Sequence, residues 1–219
     1  MKEIIIFGNK DLAEMAHFYF TQAGKKVKAF TLDNPQEWSF KGCPVFDFKD
    51  IVNICPPKNH VMFAPIYSVV TRKKIYNKIK DLGYTFTNFI HDSAHIWHPR
   101  AIRGDNVFIQ EFNNIQYGTY IGHNNIFWAG NHIGHHSHIG HHCYFTSHVV
   151  LSGHCKIEDS CWFGVNSTIR NGLSIAEGSF IGAHSYISNN IPDGQRYRTW
   201  VGTPAVDRGP SLDLLTNVA

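Results

Sequence analysis

The sequence predicts two parts: an α/β N-terminal domain with a small, Rossmann-like parallel sheet over residues 1–89, then a left-handed parallel β-helix over 90–190, followed by a C-terminal arm over 191–219. Two observations predict this. One is an unbroken six-residue period of apolar side chains through the second half. The other is an alternation of strand and helix signals before that period begins. Length and composition agree, since 219 residues that are 43% hydrophobic suffice for one good core or two small ones.

In the first part, residues 2–8 read as a buried strand. Residues 11–23 read as a helix with apolar positions at Leu12, Met15, Ala16, Phe18 and Tyr19, ended by Gly24. Residues 26–33 form a second strand signal and 61–65 a third. Residues 69–82 read as a helix ended by Gly83, and 84–90 as a link onward. Strand, helix, strand in this order implies parallel pairing, with a ligand crevice at the carboxyl ends of the strands. The turn Gly8-Asn9-Lys10-Asp11 stands where such folds hold phosphate against the free N–H groups of a helix. It keeps a single glycine and fails as a dinucleotide fingerprint, so Asp11 reads equally as an N-cap on a structural helix. Asp33 offers an acceptor for a ribose or base, or simple turn chemistry with Asn34.

Stepping by six from Ile109 meets Ile115, Ile121, Phe127, Ile133, Ile139, Phe145, Leu151, Ile157, Phe163, Ile169, Ile175, Ile181 and Ile187. The position four residues after each is mostly small, as at Asn113, Thr119, Ser137, Cys143, Cys161 and Ser179. One bulky and one small inward residue per hexapeptide fit a triangular prism, whose coils stack at the parallel-strand spacing of about 4.8 Å. Three hexapeptides make a coil, so residues eighteen apart stack. Glycine follows the bulky residue at Gly122, Gly134, Gly140, Gly164 and Gly182, which reads as relief for a strained turn backbone. An earlier set, Ile90, Ile96 and Ile102, runs one residue out of phase, and one inserted residue near Arg103 reconciles the two. The column then holds roughly five to six coils, capped by its flanking segments.

Composition excludes several classes. The formal charge of +3 requires neither nucleic acid nor a membrane surface as partner. Residues 1–90 hold thirteen of the twenty Lys and Arg against eight of the seventeen acids, a net +5 (13 − 8) that suits a phosphate-bearing ligand. The opening apolar run is too short for a signal segment, and no stretch approaches the roughly eighteen apolar residues of a membrane span. Five cysteines without CxxC spacing argue against a disulfide framework or a zinc knuckle, so a reducing cytoplasm is expected.

Nine of the fifteen histidines fall between His123 and His154. One of them suits a general base, imidazole being matched to proton removal near neutral pH. As metal ligands, His123 with His141 and His136 with His154 are each eighteen apart and stack on neighbouring coils, but no third ligand is evident and no metal is expected. Most read as polar surface on the flat faces. Cys143, Cys155 and Cys161 occupy the small inward position and read as buried and inert.

Three segments carry a resemblance: Asn131-His132-Ile133-Gly134-His135-His136-Ser137, Phe163-Gly164-Val165-Asn166-Ser167 and Val201-Gly202-Thr203-Pro204-Ala205. With the hexapeptide run they resemble the bacterial hexapeptide acyltransferases, in the branch of the bacillosamine-pathway and perosamine N-acetyltransferases and the sialic acid O-acetyltransferases. The resemblance implies a cytoplasmic homotrimer that moves an acetyl group from acetyl-CoA to a nucleotide-linked amino sugar in surface-glycan synthesis. It places the catalytic base on His135, followed by His136 where many members have Glu or Asp, and the thioester oxygen on the Gly153 amide. Substrate contacts fall on Gly8, Asn9, Lys10, Asp11, Asp33, Asn34, Tyr67 and Asn131. Those to acetyl-CoA fall on Tyr144, Gly153, Asn171, Gly182, Gly202 and Pro204. Two departures stand out: Trp128 where many relatives have Asn, and Tyr144 where some have a histidine near the cofactor. Acetylation of a sugar hydroxyl is the nearest alternative, ahead of a metal-dependent β-helix of the carbonic anhydrase type and a non-catalytic trimer.

Overall fold

The computed structural model of the chain describes residues 2–98 and 100–217. Its first part holds β1 (Glu3–Phe7), α1 (Asp11–Gln22), β2 (Val27–Leu32), β3 (Ser39–Phe40), β4 (Cys43–Asp47), α2 (Ile51–Ile54), β5 (His60–Phe63) and α3 (Val69–Asp81). The sheet order is β3-β4-β2-β1-β5, parallel except for the β3–β4 hairpin. Side chains alternate across β1, so Ile4 and Ile6 pack with α1 while Ile5 and Phe7 pack with Ile51, Met62, Ile75 and Ile79 on the other layer. β3 and β4 add to the three expected strands. Strand order reverses between β1 and β5, which opens a crevice at their carboxyl ends between Gly8 and Tyr67.

From Phe89 the chain winds into a three-sided column. The first face stacks Phe89–Ile90, Phe108–Ile109, Ile126–Phe127, Tyr144–Phe145, Trp162–Phe163 and Phe180–Ile181. The second stacks His95–Ile96 through Tyr186–Ile187, and the third Tyr120–Ile121 through Ser174–Ile175. Partners are eighteen apart, as in Ile126 with Tyr144, but nineteen apart in the first coil, as in Ile90 with Ile109 and Ile96 with Ile115. The extra residue lies at Arg103-Gly104, whose two N–H groups both donate to Ile121 O at 3.0 and 3.2 Å. The bulky series from Ile109 to Ile187 is buried throughout, and Phe127, Phe145 and Phe163 stack inside it at centroid spacings of 4.6 and 4.5 Å.

The glycines after the bulky residues do a different job from the one expected of them. None of the five has a positive φ. They sit where coils touch: a Cβ on Gly134 would lie 2.4 Å from Ser152 C, and one on Gly164 2.4 Å from Ala183 N. The positive φ falls instead two residues later, at every sixth residue from Phe112 to His184. Glycine, asparagine and histidine tolerate that conformation best, and His136, His142, His148, His154 and His184 all occupy it. Much of the histidine crowd is therefore a consequence of turn geometry.

On the first face the outward residues are apolar too, and the N-terminal domain covers them. Phe89, Phe108, Ile126, Tyr144 and Trp162 form one buried cluster with Leu12, Ala16 and Phe20 of α1. Each such side chain removed from water contributes about 1.5–3 kcal/mol, so the two parts pack as one body. The C-terminal arm finishes the column. Arg198–Gly202 pairs beside Phe180–Ile181 and turns back through Ala205–Pro210, with Trp200 and Ala205 against the end of the core. The last helix, Leu212–Asn217, returns to α3, where Ser68 Oγ donates to Leu215 O at 3.2 Å. Among the described residues no helix is long and apolar enough to cross a membrane.

A polar seam pins α3 to the column. Asn106 Nδ2 donates to Asn124 Oδ1, and Asn124 Nδ2 meets His142 Nδ1 at 2.7 Å, so His142 accepts there as neutral imidazole. Burial first, then the Arg72 guanidinium, pushes the His142 pKa down to about 3. A lowered imidazole stabilises the fold fully above its ordinary value near 6.5, and that stabilisation drains away as pH falls from there towards 3. Between pH 7 and pH 5 this group alone removes roughly 2 kcal/mol of unfolding free energy. Urea titrations at the two pH values will show the loss, and His142→Asn, which tolerates the turn, will shrink it. An equal loss in the variant would assign the acid sensitivity elsewhere.

Candidate active site

The edge where the second face turns into the third brings His135, His136, His154 and Gly153 together. Its outermost positions, eighteen apart, are Tyr117, His135, Gly153 and Asn171, and beside them run the positive-φ positions Gly118, His136, His154 and Gly172. Backbone bonds lock the register: His136 N donates to Tyr117 O at 3.0 Å, His154 N to His135 O at 2.8 Å, and Gly172 N to Gly153 O at 2.9 Å. Because the strand ladders fix each coil on the next, the three imidazoles of this edge have fixed anchor points.

His135 lies directly over Gly153. A Cβ on that glycine would fall 2.7 Å from both Nε2 and Cε1 of His135, so any larger residue there displaces the imidazole. The other nitrogen, Nδ1, is 3.1 Å from Nδ1 of His136. One of the pair must donate, and we assign Nδ1–H to His135, which leaves its Nε2 lone pair facing Gly153. His136 thus takes up the orienting contact with a ring nitrogen.

At the same step of the neighbouring edge, turn N–H groups find side-chain acceptors: His123 N on His141 Nδ1 and His141 N on Asp159 Oδ1. His135 N likewise donates to Gln116 Oε1 at 3.0 Å. Among the described residues the Gly153 N–H has no such acceptor. With its amide oriented to satisfy both neighbours, Asn171 donates to Gly153 O at 2.8 Å and accepts from Gly172 N at 3.3 Å, which steadies the turn. A groove on the lower side of the edge is lined by His98, Tyr117, Gly118, Thr119, Tyr120, His136 and His138.

Other expected positions resolve differently. Asn131 is buried inside the column, donating to Asn113 Oδ1 and Trp128 O and accepting from Val149 N, so it is a structural asparagine with no atom left for a sugar. Tyr144 is fully buried beneath the N-terminal domain, where Trp128 Nε1 donates to its hydroxyl and Tyr67 packs at a 4.8 Å centroid distance, so it offers no surface to a cofactor. The two departures from the family pattern, Trp128 and Tyr144, are thus one hydrogen-bonded unit. Lys10, not Asp11, is the N-cap of α1, and no side chain caps it; Asp11 is the first helical residue. Gly8 at φ +106° starts that turn, with Asn9 half-buried and Lys10 and Asp11 exposed. Asp33 is exposed and held by Lys78 Nζ at 2.7 Å, and Asn34 adopts φ +51° beside it.

Gly153 and Asn171 lie on the histidine edge, whereas Gly182 ends the first face. Gly202 N donates to Ser185 Oγ and Thr203 Oγ1 to His184 O, so Gly202 and Pro204 join Gly182 at the opposite border of the second face. One chain does not line a single groove with both sets.

The two histidine pairs also part company. His123 and His141 stack at 5.1 Å, but His123 Nδ1 is held by Asp105, 2.8 Å from its carboxylate Oδ1, and His141 Nδ1 accepts the His123 N–H, so that pair is structural. His136 and His154 stack at 5.2 Å and 12° with a third imidazole, His135, edge-on to His154 at 4.9 Å. The sequence reading paired residues eighteen apart and overlooked the chain neighbour. The inward thiols are buried, and burial drives those of Cys155 and Cys161 upward, with a contact from Cys143 reinforcing Cys161, so none serves as a nucleophile.

Fold and edge together define a left-handed β-helix that carries a small parallel α/β domain on one face. The sequence matches no protein-family model. Among solved structures it is similar to PerB from Caulobacter crescentus in complex with CoA and GDP-perosamine, at 22% identity over 95% of this chain and 98% of that one, with a TM-score of 0.85. It is similar to the acetyltransferase domain of PglB from Neisseria gonorrhoeae, at 20% identity over 95% and 100% and a TM-score of 0.84. WeeI from Acinetobacter baumannii follows at 19% identity over 95% and 100%, with a TM-score of 0.66.

Proposed function

We propose that the chain transfers an acetyl group from acetyl-CoA to the amino group of a nucleotide-linked sugar. The observation that carries this reading is that His135 Nε2 stands against Gly153, whose N–H finds no acceptor among the described residues, on a column whose solved counterparts include a protein bound to CoA and GDP-perosamine. The sugar amine attacks the thioester carbonyl, His135 Nε2 takes the proton the amine loses, and the Gly153 N–H holds the developing oxyanion. The C–S bond then breaks, and the thiolate leaves with a proton returned from His135. His136 keeps Nε2 as the acceptor by taking the Nδ1 proton contact.

The crevice between β1 and β5 suits the nucleotide, with Gly8, Asn9, Lys10 and Asp11 on one side, Tyr67 on the other and Asp33 with Asn34 after the next strand. The lysine-rich N-terminal part favours a diphosphate. Acetyl-CoA would run along the second face, touching Gly153 and Asn171 on one edge and the Gly182, Gly202 and Pro204 border of a second copy. That division of contacts supports a homotrimer. A cytoplasmic role in surface-glycan synthesis fits such substrates. O-acetylation uses the same base and remains the second reading.

The test is thiol release from acetyl-CoA with UDP-, GDP- and dTDP-linked amino sugars, alongside hydroxyl-only counterparts. Release confined to an amino sugar supports the proposal. Release with the hydroxyl sugars only would make it an O-acetyltransferase, and none with any would remove the enzymatic reading.

A further inference from the structure

We propose that His135, His136 and His154 together form a binding site for a borderline divalent transition-metal ion such as Zn²⁺, and that its occupancy silences the base. Each of the three offers a ring nitrogen, and those nitrogens lie within 4.8 Å of one another on the exposed edge. The His135 and His136 Nδ1 atoms, 3.1 Å apart, already stand near the roughly 3.3 Å that separates two nitrogens bound about 2.0–2.1 Å from a tetrahedral zinc. Modest rotation of the His154 ring completes three ligands, with water in the fourth position. Imidazole suits Zn²⁺, Ni²⁺ and Cu²⁺, and the all-nitrogen set disfavours Mg²⁺ and Ca²⁺.

Two features make this more than a crowd of histidines. The anchors are rigid, since His136 and His154 sit in positive-φ turns tied to the coils below by backbone bonds. The positions flanking them in the same column are Gly118 and Gly172, which add no side chain above or below the pair, and the Tyr117 ring meets His136 only edge-on at 5.8 Å. By contrast His123 Nδ1 is engaged by the Asp105 carboxylate at 2.8 Å and His141 Nδ1 by the His123 N–H.

Proton accounting links the ion to the reaction. A neutral imidazole carries one N–H. If a metal takes the Nδ1 lone pair of His135, the proton resides on Nε2, the nitrogen over Gly153, which can then accept nothing. This inhibitory half rests on the acetyl-transfer reading, whereas the binding half stands alone.

The experiment uses the full chain, freed of metal with chelator, titrated with ZnCl₂ by calorimetry and checked by elemental analysis after dialysis. Wild type is expected to bind a single tight Zn²⁺ per chain. His154→Asn, which keeps a turn-tolerant residue and touches no reactant in the reaction above, is expected to weaken binding about tenfold or more. His148→Asn, a control at an equivalent turn on another edge, should bind as wild type does. With a verified amino-sugar substrate, Zn²⁺ should slow wild-type thiol release, chelator should restore it, and His154→Asn should turn over normally and resist the ion. No saturable binding by wild type, or unchanged binding in His154→Asn, overturns the site. Binding without inhibition overturns the proton argument. Binding with no thiol release from any amino or hydroxyl sugar overturns the acetyl-transfer reading and the inhibitory half with it, and supports the metal site.

Discussion

His135→Ala will lower turnover of the cognate amino sugar by roughly 10²- to 10⁴-fold, about 2.7–5.5 kcal/mol of transition-state stabilisation, with the fold intact. The side chain is exposed, and its backbone bonds to Gln116 and His154 do not involve the ring, so removing it leaves the coil held as before. The loss should appear in kcat rather than in the KM for acetyl-CoA, because the base acts on the attacking amine. Gly153→Ala gives the complementary result. Its methyl would meet His135 Nε2 at 2.7 Å, displacing the base and blocking the amide at once, so its effect should match or exceed that of His135→Ala, and the double variant should add little. Near-normal kcat in folded His135→Ala protein would remove the mechanism.

That site was legible in the sequence only as far as the column was. The six-residue period sorts side chains into inward and outward, and it carries the eighteen-residue offset that sets His135 beside Gly153. It also locates the insertion at Arg103. It does not say which of three faces is covered. Tyr144 and Trp128 point outward by period, yet the N-terminal domain buries the first and half-buries the second. The signal was present: Phe89, Phe108, Ile126, Tyr144, Trp162 and Phe180, each just before a bulky residue, make one face apolar outside as well as inside. Asn131 was misplaced for the opposite reason, since the small inward position was known and its amide is consumed by neighbouring coils.

The glycine and histidine patterns show how a correct period can carry a wrong cause. Glycine after the bulky residue reads as a conformational need, but the coil above approaches within 2.4 Å of where its Cβ would be, so the need is for space. The conformational need lies two residues on, and histidine meets it five times. A histidine count therefore overstates chemistry here, and edge geometry separates His135, His136 and His154 from the rest. The short β3–β4 hairpin escaped notice because Pro44 interrupts it and its burial is mixed.

Arg72→Ala will destabilise the chain by about 3–5 kcal/mol, the largest stability effect of any single side chain outside the apolar core. The guanidinium is fully buried on α3 with no acidic partner among the described residues. It donates instead to the carbonyls of Ile66, Tyr67, Asn124, His142 and Cys143, and lies over the Tyr144 ring at 5.4 Å. Burial lowers its pKa to about 10, still charged at neutral pH. Relief of that buried charge opposes the loss, but Cys143 O alone of the five accepts a second backbone bond, from Ile126 N, and each orphaned carbonyl costs about 1–3 kcal/mol. Several such costs outweigh the relief, so Arg72→Met should also destabilise, by less than Arg72→Ala because it leaves a smaller void. Two of the carbonyls precede α3 and three belong to the column, so the side chain fixes the loop at Tyr67, which lines the crevice proposed for the nucleotide, against the coils. Under conditions where Arg72→Met remains folded, its KM for the sugar nucleotide should rise several-fold while that for acetyl-CoA holds. Urea midpoints measure the first effect and steady-state kinetics the second. An Arg72→Ala stability within about 1 kcal/mol of wild type would mean that apolar burial alone joins the two parts.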